Sequence, residues 1–149
     1  MYFGLMVKDN QPKVLEYNCR LGDPETQCLM LQLESDMLNV LLDALSDNLE
    51  NISWSKESSM GVVMASGGYP ESYKKDQHIE ILKLNEVKLF HAGTKKENGK
   101  LVTSGGRVFS LNAKAPDLET CKKIIDTNIN NIKFNDMVYR KDIGDIYES

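Results

Sequence analysis

The sequence predicts an α+β fold: the end of one α/β layer, then a small antiparallel sheet with flanking helices. Three observations predict it. Two short strand-like segments open the chain and are followed directly by helical patterns. From about Ser58 the pattern changes to short apolar runs separated by turn residues. A final apolar repeat at helical spacing follows Pro116-Asp117. The expected division is residues 1–57 for the first part and 58–149 for the second.

Residues 2–7 read as a strand, residues 8–12 as a turn, and residues 13–21 as a second strand. A two-stranded hairpin is marginal alone, so another segment or another chain is expected to complete that sheet. Gly22-Asp23-Pro24-Glu25 follows. Asp23 suits a helix N-cap and Pro24 the first helical position, which predicts a helix over 24–33. Ser35 reads as a second cap, because Met37, Leu38, Leu41, Leu42 and Leu45 recur on one helical face. Residues 60–65 form a strand ended by Ser66-Gly67-Gly68-Tyr69-Pro70. Residues 79–84, 87–92 and 100–111 also read as strands. Glu97-Asn98-Gly99 is a hairpin turn, since Asn-Gly readily supplies positive φ. Leu118, Cys121, Ile125, Ile129 and Ile132 share one face of the last helix, and residues 133–149 are mixed. Trp54 reads as a packing anchor.

The 149 residues suffice for one domain, or one domain plus the edge of another. A net charge of −4, with no basic run and no aromatic ladder, argues against nucleic acid as a partner. No apolar stretch reaches the roughly 18 residues that cross a bilayer, and residues 1–8 lack a signal-peptide pattern. Cys19, Cys28 and Cys121 form no close pair. They read as reduced, buried, inert thiols in a cytoplasmic setting.

The informative segment is Val14-Leu15-Glu16-Tyr17-Asn18-Cys19-Arg20. Side chains alternate along a strand, so Glu16, Asn18 and Arg20 share one face and Leu15, Tyr17 and Cys19 the other. Neighbours on a face stand about 6.6 Å apart, from a rise of about 3.3 Å per residue. A carboxylate beside an amide oxygen is a hard partial cage suited to Mg²⁺ that keeps phosphate oxygens as further ligands. Arg20 beyond it can hold a carboxylate or phosphoryl oxygen by a forked contact. The Gly22-Asp23-Pro24 turn then starts a helix, whose first N–H groups favour anions. Taken alone, this spacing favours a solvated strand face over a metal site. Gly67-Gly68 reads as a tight turn. Gly105-Gly106-Arg107 admits two readings, a backbone that approaches a phosphate or a turn with a bulge. His78 and His91 read as ordinary strand residues, and Tyr139-Arg140-Lys141-Asp142 as a solvated face.

Residues 14–27, Val-Leu-Glu-Tyr-Asn-Cys-Arg-Leu-Gly-Asp-Pro-Glu-Thr-Gln, closely resemble the signature of the phosphoribosylamine–glycine ligases. That pattern is Glu-x-Asn-x-Arg, then Phe or Leu, then Gly-Asp-Pro-Glu. Further segments resemble the family in the same order: Ala65-Ser66-Gly67-Gly68-Tyr69-Pro70, Phe90-His91-Ala92-Gly93-Thr94, residues 101–108 (Leu-Val-Thr-Ser-Gly-Gly-Arg-Val) and residues 139–144. The resemblance runs from Gly4 to Gly144.

The resemblance implies an ATP-grasp enzyme of purine biosynthesis that uses ATP to join glycine to 5-phosphoribosylamine. A glycyl phosphate is formed and then attacked by the amine. It implies Glu16 and Asn18 as ligands of Mg²⁺ or Mn²⁺, and Arg20 as a catalytic and substrate-positioning residue. Gly22, Asp23, Gly105, Gly106 and Arg107 are the implied substrate contacts. Family members carry a substrate domain and most of the ATP-binding machinery before the point where this sequence begins. The chain alone is therefore expected to be inactive, with the remainder supplied by the complete polypeptide or by another chain. The unpaired edge at residues 2–7 also invites self-association. Two alternatives stand beside this reading. One is a non-catalytic module that docks onto a separately encoded half. The other is a different ATP-grasp ligase or carboxylase, against which Gly-Asp-Pro-Glu and Thr-Ser-Gly-Gly-Arg argue.

Overall fold

The computed structural model describes residues 2–145. Strands β1 (Tyr2–Lys8) and β2 (Gln11–Asn18) form an antiparallel hairpin. Asp9 and Asn10 both take positive φ, at 52° and 57°, which suits a two-residue turn of the type that matches strand twist. The turn is shorter than expected because Lys8 and Gln11 already pair.

Two features depart from simple alternation. Gly4 pairs with Glu16 but Leu5 pairs with Val14, so Leu15 is an extra residue in β2. This β-bulge moves Val14 to the face of Leu5 and leaves Glu16 opposite Gly4. The strand also ends at Asn18, three residues short of expectation, so Arg20 lies in a bend and not on the strand face with Glu16 and Asn18. Phe3 and Tyr17 pack edge to face at 5.3 Å, yet Phe3, Leu5, Val7, Val14 and Tyr17 all stay exposed.

Helix α1 (Glu25–Gln32) follows. Pro24 takes the cap position, with no side-chain cap; the carboxylate of Asp23, expected to cap, is engaged elsewhere. Gly22 O closes the first turn by accepting from Thr26 N at 3.1 Å and from the Thr26 hydroxyl. Helix α2 (Met37–Leu45) is capped by Asp36, which accepts from Asn39 N at 2.9 Å. Ser35, the expected cap, instead accepts from Ser53 N at 2.8 Å. The apolar face of α2 is exposed, from Met37 to Leu45.

The central sheet has four antiparallel strands in the order β10-β3-β8-β5: β3 (Ser58–Ser66), β5 (Lys88–His91), β8 (Arg107–Ala115) and β10 (Met137–Val138). Short strands β4 (Glu80–Ile81) and β9 (Ile132–Lys133) pair with each other. Strands β6 (Thr94–Glu97) and β7 (Lys100–Thr103) form a hairpin about Asn98-Gly99, both at positive φ as the sequence predicts. The strand expected over 100–111 is broken at Ser104-Gly105-Gly106. There Gly93 and Gly105 bring two backbones together: a Cβ on Gly93 would lie 2.6 Å from Gly105 Cα.

One face of the sheet carries the core. Met60, Val62 and Met64 pair with Ala113, Leu111 and Phe109, and helix α3 (Leu118–Ile129) covers them with Cys121, Ile125 and Ile129. Burying each large side chain contributes about 1.5–3 kcal/mol. Asp117 caps α3 by accepting from Thr120 N at 2.7 Å. Leu118, expected on the buried face, is exposed, while Ile132 is buried from β9 after the helix has ended. Trp54 is exposed too, and forms a backbone bridge to Leu33. Of the cysteines, Cys121 is buried, Cys28 half-buried and Cys19 exposed, contrary to the expectation of three buried thiols.

The opposite face is more polar and partly covered by α1. Ser59 Oγ donates to Cys28 O at 3.0 Å, and Gln32 Nε2 donates to Glu57 O at 2.7 Å. Gly61 admits the helix, because a Cβ there would sit 3.2 Å from Cys28 Sγ and against the Asn112 amide. Where α1 begins, the sheet stays uncovered and a cleft opens.

Candidate functional site

The cleft is formed where the start of α1 meets β3, β8 and β5. A cavity of about 320 Å³ is lined by Asp23, Gln27, Val63, Tyr69, Phe90, Ala92, Gly106, Arg107, Phe109 and Ser110. A neighbouring cavity of about 350 Å³ adds Arg20, Leu21, Gly22 and Thr26, sharing Asp23, Gln27 and Arg107. Five of the six residues expected to contact substrate (Arg20, Gly22, Asp23, Gly106 and Arg107) therefore converge on one concavity, from segments some 80 positions apart. Gly105 is not among the residues lining it; its close approach to Gly93 fits the turn reading.

Arg107 reaches the cleft because β8 bulges. Met64 pairs with Phe109 but Ala65 pairs with Arg107, so Val108 is an extra residue. Plain alternation would otherwise keep residue 107 on the core face with Phe109. The bulge gives Arg107 the face of Ala65 and Val63, a known use of bulges beside sites. There its Nη2 meets Asp23 Oδ2 at 2.8 Å, with both side chains about half exposed. This pair tethers the 22–24 turn to the sheet. Arg20, donating to Leu21 O at 2.9 Å, is exposed beside it. Two guanidiniums line this part of the cleft, one of them already paired with Asp23, and a guanidinium can hold an anion by a forked contact.

The wall and floor bring in residues absent from the predicted set. Tyr69 stands against Gly106, where any Cβ would run into its ring. Phe90 and Val63 supply apolar surface. Ser110 is buried, and its Oγ accepts from Asn112 Nδ2 at 2.8 Å. Asn112 is fully buried, and its Oδ1 accepts weakly from Cys28 Sγ at 3.6 Å. Burial pushes the Cys28 thiol up, so it stays a neutral donor. Gln27 lines the cleft, and its Oε1 is buried without a hydrogen-bond partner among the described residues. Leaving such an acceptor unpaired costs on the order of 1–3 kcal/mol.

Glu16 and Asn18 stand apart on the hairpin. They pair with Gly4 and Tyr2 with no irregularity between them, so the backbone register puts both on one face. A Cβ on Gly4 would lie 2.8 Å from Glu16 Cγ, so glycine leaves the space across which the Glu16 side chain lies. Two hard oxygen donors two residues apart fit a divalent cation that takes its other ligands from phosphate and water. No cluster of three or more His, Cys, Asp or Glu suited to a metal occurs among the described residues.

A family described as "Phosphoribosylglycinamide synthetase, C domain" matches residues 59–146. The chain belongs to the phosphoribosylglycinamide synthetase C-domain family. Curated relatives named phosphoribosylamine–glycine ligase include that of Fusobacterium nucleatum, 43% identical over 154 residues, covering 99% of this chain and 36% of the relative. Those of Vibrio parahaemolyticus and Escherichia coli O6:H1 are 41% and 43% identical, each covering 97% of this chain and 35% of the relative. The crystal structure of the phosphoribosylamine–glycine ligase of Thermotoga maritima matches with a TM-score of 0.84 at 32% identity, over 95% of this chain and 36% of that one. The synthetase-family chain thus spans about a third of the length of the relatives it matches. Its α+β fold, with a small antiparallel sheet and flanking helices, is the one the sequence predicts.

In this synthetase-family chain, Gln27 and Tyr69 fall inside segments that carry the family resemblance, which is the one signal that marks them in the sequence. Ser110 carries none: it sits in an apolar strand and gains its setting from Asn112 and α1. No helix among the described residues is long and apolar enough to cross a membrane.

Proposed function

We propose that this chain is the C-terminal part of a phosphoribosylamine–glycine ligase. In that enzyme ATP phosphorylates the glycine carboxylate. The amine of 5-phosphoribosylamine then displaces the phosphate, giving glycinamide ribonucleotide, ADP and phosphate. The observation that carries the reading is the convergence of Arg20, Gly22, Asp23, Gly106 and Arg107 on one cleft in a chain of this family.

Within that enzyme, Glu16 and Asn18 are the residues that would hold a divalent cation, Mg²⁺ or Mn²⁺. When bound, such a cation offsets charge gathering on phosphate oxygens during transfer. Arg20 orients the acyl phosphate, and Arg107, fixed by Asp23, holds the anionic end of the substrate. Positioning and charge stabilisation supply the catalysis, with no covalent enzyme nucleophile. We assign residues 1–57 to the end of the ATP-grasp domain and 58–149 to the C-terminal domain, with α1 packed across the boundary. The apolar faces of the hairpin and α2 await the rest of the enzyme, so the chain alone does not turn over. Three free cysteines agree with a cytoplasmic setting.

The test is phosphate release dependent on both glycine and phosphoribosylamine. It is expected from a full-length enzyme that carries this chain as its C-terminal part, and not from the 149-residue chain alone. Turnover by the isolated chain contradicts the assignment of the ATP machinery elsewhere. Release by the full-length enzyme without either substrate contradicts the ligase.

A further inference from the structure

Three segments that carry the family resemblance, residues 65–70, 90–94 and 101–108, meet at the backbone that leads into Arg107. Gly105 and Gly106 have no side chains to anchor that backbone, and glycine loses the most conformational freedom on ordering. Hydrogen bonds hold it from two sides instead. On one side stands Ser66, the buried last residue of β3. Its N–H donates to Gly106 O at 2.8 Å, and its hydroxyl donates to Gly105 O at 3.2 Å. Its carbonyl accepts from Tyr69 N at 3.1 Å, which ties the Tyr69 turn to the same point. On the other side stands Gly93, just past β5. Its N–H donates to Arg107 O at 2.8 Å, and its carbonyl accepts from Ser104 N at 2.8 Å. Ser66 and Gly93 together thus engage the carbonyls of Gly105, Gly106 and Arg107.

Position 93 needs glycine for space and not for backbone angle, because Gly93 does not take positive φ. A Cβ there would lie 2.6 Å from both Arg107 O and Gly105 Cα, and 2.7 Å from Gly105 N. All three are backbone atoms, which cannot swing aside as the end of a side chain can. Any larger residue at 93 therefore displaces the 105–107 backbone by most of an ångström. The bulge at Val108 decides which face Arg107 takes, and the two clamps decide where on that face it stands. Neither Ser66 nor Gly93 lines the two cavities of the cleft, so both act at one remove from it.

We propose that Ser66 and Gly93 are positioning residues that fix Arg107 in the cleft through its backbone. The assignment rests on the reading of Arg107 as the residue that holds the anionic end of the substrate.

The test is a double-mutant cycle in a full-length enzyme that carries this chain. Ser66→Ala and Gly93→Ala are made alone and again beside Arg107→Met, and kcat/KM for phosphoribosylamine and KM for ATP are measured. Alone, Gly93→Ala should lower kcat/KM about tenfold or more, and Ser66→Ala, which deletes one hydroxyl, about fivefold. KM for ATP should stay unchanged. Beside Arg107→Met each loss should shrink to about twofold or less, because the group being positioned is gone. Losses that persist in full there, or a KM for ATP that moves in step, make the two residues general supports of the fold and overturn the proposal. Unchanged kcat/KM in both single variants overturns it too, while leaving the ligase reading intact. Where Gly93→Ala does not fold, the Ser66→Ala cycle decides. In the 149-residue chain both variants should also shift the NMR signal of the Arg107 Nε–H group. An unmoved signal overturns the positioning whatever the enzyme does. Lack of turnover by the parent enzyme counts against the ligase reading alone, and the NMR result then judges the positioning.

Discussion

Replacing Arg107 with methionine separates what the guanidinium does for binding from what it does for folding. Methionine keeps the stem and removes the charge. Within the chain the substitution breaks one ion pair, Arg107 to Asp23 at 2.8 Å, with 40% and 52% of the side chains exposed. Pairs this exposed contribute about 0–1 kcal/mol, because water screens them and ordering two side chains costs entropy. For a chain of this size that is a Tm shift of at most about 4 °C. Towards an anionic ligand the same substitution removes a charged hydrogen bond, about 1.5–3 kcal/mol, or roughly 10- to 150-fold in kcat/KM. The assay pairs thermal unfolding of the 149-residue chain with steady-state kcat/KM for phosphoribosylamine in a full-length enzyme that carries it. Asp23→Asn, which loosens the arginine without removing it, should show a smaller kinetic loss. A Tm drop above about 10 °C with kcat/KM nearly unchanged would refute the reasoning, by making Arg107 a structural residue.

Three further outcomes follow from the same geometry. Gly106→Ala forces the Tyr69 ring off the cleft wall and should weaken ligand binding, read by calorimetry. Asp117→Ala should lower the Tm at neutral pH. The Thr120 backbone N–H holds the Asp117 carboxyl below its ordinary 3.8, so its contribution is present above that value and is lost as pH falls through the lower folded one. Parent and variant melting curves should therefore converge in acid below pH 3.8, and a gap that persists there counts against the cap. At neutral pH a thiol reagent should modify exposed Cys19 first, since burial raises the Cys28 and Cys121 thiols and starves them of thiolate. Peptide mass spectrometry that finds Cys121 first would contradict the packing.

Much of this is legible in the sequence where the signal is local. Asn98-Gly99 marks its turn because few residues accept positive φ, and the 118–129 helix shows its apolar face by spacing alone. The cleft is different. Its residues come from α1, β3, β5 and β8, and alternation counted along one strand places Arg107 on the wrong face, because the extra residue at Val108 is visible only in the register. Leu15 in β2 hides from the count in the same way. Asp23 reads as a cap since Asp before Pro usually is one; the pull of Arg107, 84 positions away, decides otherwise. Gln27 does not show its unpaired acceptor locally, because a buried acceptor exists only once the helix has docked.

In the ligase proposed above, Glu16 and Asn18 hold the divalent cation. The most direct measurement of this is Mn²⁺ affinity in the presence of ATP, followed by electron paramagnetic resonance on a full-length enzyme bearing Glu16→Gln or Asn18→Ala. Each variant is expected to bind Mn²⁺ about tenfold or more weakly than the parent, with the fold unchanged by circular dichroism. Parental Mn²⁺ affinity in both variants would contradict the claim.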